Sequence, residues 1–469
     1  MSAADPLMAV LRQSVEPAVA DALDALLRDG KDHELNRINA LALAEERGLD
    51  PEATLGGLLH ASRLGLFELS WNVLCPGCGG VLGHGATLKT LDRSAYHCAL
   101  CSAGYEPTLD EMVEVTFTVS PRIRRIPAHD PHSLPMWDYA RQVFWSTGTD
   151  LPQDNFEALV QEMILDAIEL PPGEKAVLSV QLPEAFVILF EPVTHTTQFL
   201  DISGEPTRDK QALSLVFNEV GAAKGTVNLR PGPLRLSLEN HTRTRALAAM
   251  FIAGDALHEL LGRRRPFVTA KRLLSNQTFR DLYRAATMDV NQRLKITSMT
   301  FLFTDLKGST ALYDQVGDIA AFDLVRSHFA RLLDIVSATG GAVVKTIGDA
   351  VMATFPDPAQ AMTAALQMRR SMDDLNRERG RDDILLNIGL HEGPCLAVML
   401  DERQDYFGQT VNVAARVQDL AQSRSIFTTG QVLEQRAVAD VLRAEGIEPI
   451  PHQAVLRGVS AAVSLFEIP

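Results

Sequence analysis

The apolar positions change period several times along the chain, and each change predicts a change of architecture. In residues 1–70 they recur at helical spacing, as at Val19, Leu23 and Leu26, and LNRINALALAEERGLDPEATLGGLLHASRLGLFELSW reads as two helices followed by a strand, a winged-helix-like outline. From EVTFTVSPRIRRIP to GTVNLRPGPLRLSLENHTRTRALAAMF the runs become short and alternating, broken by Pro, Gly and Asn, with one helical stretch at DNFEALVQEMILDAIEL. This pattern predicts a β-sandwich-like domain over residues 113–268. SNQTFRDLYRAAT then offers a helix start at Ser275 with Phe279, Leu282 and Tyr283 on one side, so residues 269–295 read as a coupling helix and linker.

Beyond residue 296 the order of elements becomes specific. FLFTDLKGST, Phe301 to Thr310, is an apolar run that ends on Asp305. VGDIAAFDLVRSHFARLLDIVSATGG places Phe322, Val325, Phe329, Leu332 and Val336 at helical spacing and stops at Gly340 and Gly341. AVVKTIGDAVMATF reads as two short strands joined by a turn at Ile347, Gly348 and Asp349. Strand, helix and hairpin in this order form half of a βαββαβ ferredoxin-like arrangement, in which the first strand and the hairpin lie side by side. The predicted fold is therefore multidomain: a helical segment at 1–70, a cysteine-bearing ribbon at 71–112, the β-rich domain, the coupling helix, and an α+β ferredoxin-like domain at 296–469.

Composition narrows the function classes. A chain of 469 residues with 46% hydrophobic content can fill several ordinary cores. Its formal charge of −15 opposes association with DNA or an anionic membrane, and residues 1–70 hold twice as many acidic as basic side chains, so the winged-helix-like outline does not predict a DNA reader. RIRR and GRRRP are short clusters that read as solvated faces. The start has no basic flank ahead of an apolar core, and no run reaches the ~18 uncharged apolar residues of a membrane helix. The expectation is a soluble, cytoplasmic protein.

Four of the five cysteines fall in two CxxC knuckles, Cys75 with Cys78 and Cys98 with Cys101, separated by 19 residues. That spacing predicts one tetrahedral Zn²⁺ held by four thiolates, a closed shell that staples rather than catalyses. Disulfides would suit an exported chain, which nothing here predicts. His84 and His97 read as bystanders, Cys395 as a buried small hydrophobe and His391 as structural.

The carboxylates carry the catalytic expectation. If the first strand and the hairpin lie side by side, Asp305 and Asp349 meet at one sheet end and can hold two Mg²⁺ or Mn²⁺ ions roughly 3.5–4 Å apart, the geometry that activates an attacking oxygen and stabilises a leaving pyrophosphate. Gly308, Ser309 and Thr310 allow backbone N–H groups to approach phosphate oxygens.

FTDLKGST, KTIGDAVMATF, DYFGQTVNVAARV and LRGVSAAVSLFEI together resemble, in order and spacing, the catalytic domain of class III nucleotidyl cyclases over residues 296–469. The resemblance implies that Asp305 and Asp349 are the metal carboxylates, with the backbone carbonyl of Leu306 as a further ligand. It implies that Lys345 and Asp405 read the purine, Asn412 orients the ribose, Arg416 neutralises charge on the transferring phosphorus, and Arg457 lies near the triphosphate. A cation and a carboxylate complement the N1 acceptor and 6-amino donor of adenine, whereas guanine presents the opposite pattern, so the pair favours ATP over GTP. Because one catalytic segment holds both sets, the resemblance also implies a head-to-tail homodimer with two equivalent sites. The expected activity is adenylate cyclase, giving 3′,5′-cyclic AMP and pyrophosphate, regulated by the N-terminal region through an unidentified ligand or protein. The alternatives are a guanylate cyclase, a nucleotide-binding regulator without turnover, or a DNA-binding regulator built on the N-terminal segment and ribbon.

Overall fold

The computed structural model describes residues 4–90, 96–152, 155–219, 223–283, 294–307, 317–382, 384–400, 403–421, 424–454, 456 and 463–469, with the backbone alone at 90, 223, 224, 318 and 320–322. The chain divides into two units. One comprises Met1–Ala86, Thr90–Pro107 and Glu111–Val268; the other comprises Thr87–Lys89, Thr108–Asp110 and Thr269–Pro469.

The N-terminal unit begins with α1 (Asp5–Leu11), α2 (Pro17–Asp29), α3 (Ala40–Arg47) and α4 (Pro51–Leu64). Side-chain caps set two of the starts: Asn39 accepts from Leu41 N and Ala42 N, and Asp50 accepts from Ala53 N ahead of Pro51, which needs no amide partner there. Next come β1 (Phe67–Leu74), β2 (Val81–Gly85), a small hairpin of β3 (Tyr96–Cys98) and β4 (Ala103–Tyr105), and β5 (Val113–Val119). β1 pairs antiparallel with both β2 and β5. The expectation that residue 113 opens the sandwich is thus corrected. β5 carries fully buried Glu114, whose carboxylate accepts from Arg37 Nη2 (2.6 Å), Asn72 Nδ2 of β1 (3.1 Å) and Thr147 N (2.7 Å).

The sandwich itself spans residues 164–252. After α5 (Met136–Tyr139), a π-helical turn at Ala140–Phe144 and α6 (Phe156–Gln161), the chain enters β6 (Ile164–Leu170), so the stretch expected to be one helix splits in two. Pairing of β6 with the last strand of the sheet overrides the helical spacing. There follow β7 (Lys175–Leu182), β8 (Ala185–Glu191), β9 (Thr196–Ile202), β10 (Gln211–Phe217), β11 (Ala223–Leu229), β12 (Gly232–Asn240) and β13 (Ala246–Ile252). They form sheets ordered β11-β9-β8-β13-β6 and β10-β12-β7, whose inner faces share one core including Leu189, Leu200, Phe217, Leu236 and Met250. α7 (Asp255–Gly262) ends the unit.

The C-terminal unit starts with α8 (Ala270–Leu274) and α9 (Gln277–Leu282). α9 is capped by Asn276, which accepts from Phe279 N, rather than started at Ser275, whose hydroxyl instead bonds back to Lys271 O. Then come β14 (Leu294–Leu306), α10 (Asp318–Ala338), β15 (Ala342–Ile347), β16 (Ala350–Phe355), α11 (Pro358–Arg379), β17 (Leu386–Leu400), β18 (Arg403–Phe407), α12 (Gln409–Leu420) and β19 (Ile426–Thr429). α13 (Gly430–Leu433), α14 (Arg436–Ala444), β20 (Ile450–Ala454) and β21 (Val463–Ile468) complete it. The sheet order is β15-β16-β14-β17-β19-β21-β20, with β18 paired to β17. Its first four strands pair antiparallel in the ferredoxin-like order expected. α10 and α11 cover one face through Val325, Leu332, Val336, Met362, Met368 and Leu375, and α12 packs Val413 and Val417 with Phe427 and Leu465. Among the described residues no helix is long and apolar enough to cross a membrane.

Candidate active site

Strand alternation explains why an apolar run ends on a carboxylate. Leu302 and Leu306 enter the core under α10 and α11, so Phe301, Phe303 and Asp305 face the opposite side of the sheet. β16 pairs with β14 as far as Thr304↔Val351, and Ile347 pairs with Ala350 at the tip of the next hairpin. The tip residues are Gly348, at φ +64°, and Asp349. Asp349 thereby reaches Asp305 electrostatically. Burial, and then the charges of Asp349 and Asp419, hold the Asp305 carboxyl above the usual carboxylate range.

Among the described residues no cationic side chain pairs with these oxygens. Asp349 Oδ2 is buried with no hydrogen-bond partner among the described residues, and so is Asn387 Oδ1, whose residue stands opposite Asp305 in the β14–β17 ladder. The buried imidazole of His328 cannot supply the charge at neutral pH, since burial pushes its pKa down to about 4. Hard oxygen donors crowded without a counter-charge fit Mg²⁺ or Mn²⁺. Leu306 is the last residue of β14, with its side chain in the core.

Lys345 and Asp405 meet. Lys345 Nζ donates to Asp405 Oδ2 at 2.6 Å, while Asp405 Oδ1 accepts from Tyr406 N at 2.8 Å. Asp405 is nearly buried and Lys345 is partly exposed, so the pair offers one open side. Asn412 and Arg416 lie four residues apart on α12, hence on one face, and the side chain of neither makes a hydrogen bond or ion pair among the described residues. Gly308, Ser309, Thr310 and Arg457 lie outside the described residues. Two further residues carry no motif and escape sequence reading: Asn387, and Arg280 on α9, which donates to backbone carbonyls of β15 and β18.

A second cluster lies in the N-terminal unit. Cys75 and Cys78 sit in the turn between β1 and β2, and Cys98 and Cys101 flank the β3–β4 turn. Their sulfurs all lie within 4.8 Å of one another, with Cys75–Cys101 at 3.6 Å and Cys78–Cys98 at 3.7 Å. A disulfide needs ~2.05 Å, whereas tetrahedral Zn–S bonds of ~2.3 Å separate sulfurs by roughly 3.8 Å. The spacing fits zinc. His84 and His97 are exposed, outside the cluster. Cys395 is buried, its thiol pushed up to about 12, and buried His391 shares a hydrogen bond of 2.9 Å with Thr429 Oγ1.

Two family models match the chain. The one described as a family of unknown function (DUF5939) matches residues 1–281, and the one described as the adenylate and guanylate cyclase catalytic domain matches residues 292–446. An adenylate cyclase of Anabaena cylindrica is 29% identical over 185 residues, 36% of this chain and 36% of that protein. A pH-sensitive adenylate cyclase of Mycobacterium tuberculosis is 25% identical over 245 residues, 51% of this chain and 56% of that protein. The chain thus spans less than two thirds of the length of these curated relatives. Among solved structures, the adenylyl cyclase CyaB from P. aeruginosa aligns with a TM-score of 0.34 and 22% identity, over 38% of this chain and 96% of that one.

Proposed function

Because the chain belongs over residues 1–281 to the family of unknown function DUF5939, and carries a class III nucleotidyl cyclase catalytic domain at residues 292–446, we propose that it converts ATP to 3′,5′-cyclic AMP and pyrophosphate. The observation that carries the reading is the convergence of Asp305 and Asp349 with no counter-charge among the described residues, one oxygen of Asp349 being buried and unpartnered among them. Asp305 and Asp349, with the carbonyl of Leu306, would hold two Mg²⁺ or Mn²⁺ ions. When bound, such ions acidify the ribose 3′-hydroxyl and stabilise charge on the departing pyrophosphate.

The remaining roles belong to side chains. Lys345 donates to adenine N1 and Asp405 accepts from the 6-amino group, both already drawn together in the ion pair. Asn412 orients the ribose, and Arg416 stabilises charge developing on the α-phosphoryl oxygens. Gly308, Ser309, Thr310 and Arg457 contribute to the triphosphate cradle. Both sets of residues lie in one catalytic segment, which fits a head-to-tail homodimer in which Asn412 and Arg416 serve the partner's metal carboxylates. The four-cysteine cluster holds one structural Zn²⁺, and the N-terminal unit regulates turnover. Dependence on ATP fits a cytoplasmic location.

Mixing two inactive variants of the full chain, Asp349→Ala and Arg416→Ala, tests the assignment. In a head-to-tail dimer the mixed species keeps one intact site, so activity returns toward about a quarter of the wild-type level as subunits exchange at equal ratio. No recovery in a mixture that demonstrably forms heterodimers refutes the shared site.

A further inference from the structure

Lys345 and Asp405 belong to strands that share no ladder. β15 is an edge strand on β16, while β18 pairs with the far half of β17, so sheet hydrogen bonding alone does not set the distance between them. β15 also slips register between Val343 and Lys345, leaving Val344 as the extra residue of a bulge. Such a bulge re-aims the next side chain, here Lys345, and leaves a carbonyl without a ladder partner.

The segment α8–α9 supplies what the ladder lacks. Arg280 Nη2 donates to Val344 O at 3.4 Å and to Gln404 O at 2.9 Å. These carbonyls immediately precede Lys345 and Asp405. Gln277 Oε1 accepts from Val343 N at 2.8 Å, at the start of the bulge. Leu274 O accepts from Gln404 Nε2 and from Tyr406 Oη, both at 3.3 Å, on either side of Asp405. Tyr406 is buried and stacks edge-on against Phe301 of β14, which anchors this side of the clamp to the central sheet.

We propose that Arg280 is a positioning residue, a single guanidinium that bridges the backbones of β15 and β18 and thereby sets the spacing of Lys345 and Asp405, and with it the choice between 6-amino and 6-oxo purines. The inference rests on the reading of that pair as the purine-recognition pair. Both bonds leave one nitrogen, Nη2, whose two N–H groups lie in the fixed plane of the guanidinium, while Nη1 is buried with no partner among the described residues; a freely rotating lysine ammonium fixes no such directions. Removing it leaves Val344 O without its donor and frees the two strands to drift apart, which a merely structural loss would not convert into a change of base preference.

The test is the ratio of kcat/KM for ATP to that for GTP, with Mn²⁺, in the full chain and its Arg280→Ala, Arg280→Lys and Lys345→Ala variants. The ratio does not depend on the fraction of active protein, so a partly unfolded variant remains informative. Arg280→Ala is expected to lower the ratio at least tenfold, chiefly by raising KM for ATP, with Arg280→Lys recovering part of the loss. A ratio within twofold of wild type in Arg280→Ala, while Lys345→Ala collapses it, overturns the inference alone. A ratio unchanged in Lys345→Ala overturns the reading of the base pair and the inference with it. If the wild-type chain forms no product, the same ratio is taken from equilibrium binding of MnATP and MnGTP, with the same two outcomes.

Discussion

Gly389 sits where a single added carbon atom meets helix backbone. It lies on β17, between Phe303 of β14 and Phe427 of β19, in the middle of the sheet. A Cβ placed there would stand 2.3 Å from Gln418 N and 2.5 Å from its Cα, both backbone atoms of α12. Comfortable contact is ~3.5 Å, so something must retreat by roughly 1 Å. The strand is held on both sides, so the helix moves. Gln418 is two residues from Arg416 and six from Asn412, the proposed catalytic side chains, and a displacement of about 1 Å at such a group costs on the order of 100-fold in kcat. Overpacking should also lower stability by about 1–3 kcal/mol. Gly393→Ala is the comparison: on the same strand, its Cβ would meet the Thr410 side chain rather than backbone, at 2.9 Å from Oγ1, so the smaller overlap of about 0.6 Å should cost less. Cyclic nucleotide formation and thermal melting of the two variants decide the matter. Gly389→Ala within threefold of wild-type kcat, or no worse than Gly393→Ala, refutes the claim that this glycine seats the helix.

Three further outcomes follow from other parts of the molecule. Cys98→Ser should reduce bound zinc from one ion per chain to well below that and lower the melting temperature, because the binding free energy of a structural zinc is also folding free energy; full zinc occupancy in the variant contradicts the four-thiolate site. His391 is buried and neutral, its pKa pushed down to about 4 against an ordinary value of 6.5, so below pH 6.5 the unfolded chain takes up a proton that the folded one refuses. Stability is therefore full above pH 6.5 and falls as pH drops toward 4, by up to about 3 kcal/mol from this residue, and His391→Gln should flatten the fall of melting temperature between those values. Glu114→Gln leaves Arg37, only 12% exposed, without its anionic partner and should cost about 3–5 kcal/mol in urea unfolding; a loss under 1 kcal/mol would show that the network around Glu114 is not the tie it looks to be.

Local signals explain what the sequence revealed. The hairpin at 342–355 announces itself because alternation, a Gly-Asp tip and β-branched residues all act within a few residues, and the two CxxC knuckles because thiolate ligation imposes its own spacing. The carboxylates at 305 and 349 become neighbours by topology alone once the ferredoxin-like order is read. Other features depend on partners far along the chain. β5 joins β1 across about forty residues because Glu114 needs Arg37, Asn72 and Thr147, and the helical spacing at 154–170 yields at residue 164 because a strand 80 residues later pairs with it. Arg280 left no trace because it recognises backbone carbonyls, which every residue type presents alike.

The proposed function turns on Asp305 and Asp349 forming a metal site for cyclising ATP. It is tested most directly by identifying the products of the full chain incubated with ATP or GTP and Mn²⁺, beside Asp349→Ala, whose fold is checked by its melting curve. Cyclic AMP and pyrophosphate are expected from ATP, less cyclic GMP from GTP, and a loss of at least ~100-fold in a folded Asp349→Ala. Cyclic AMP formed equally well by Asp349→Ala would contradict it.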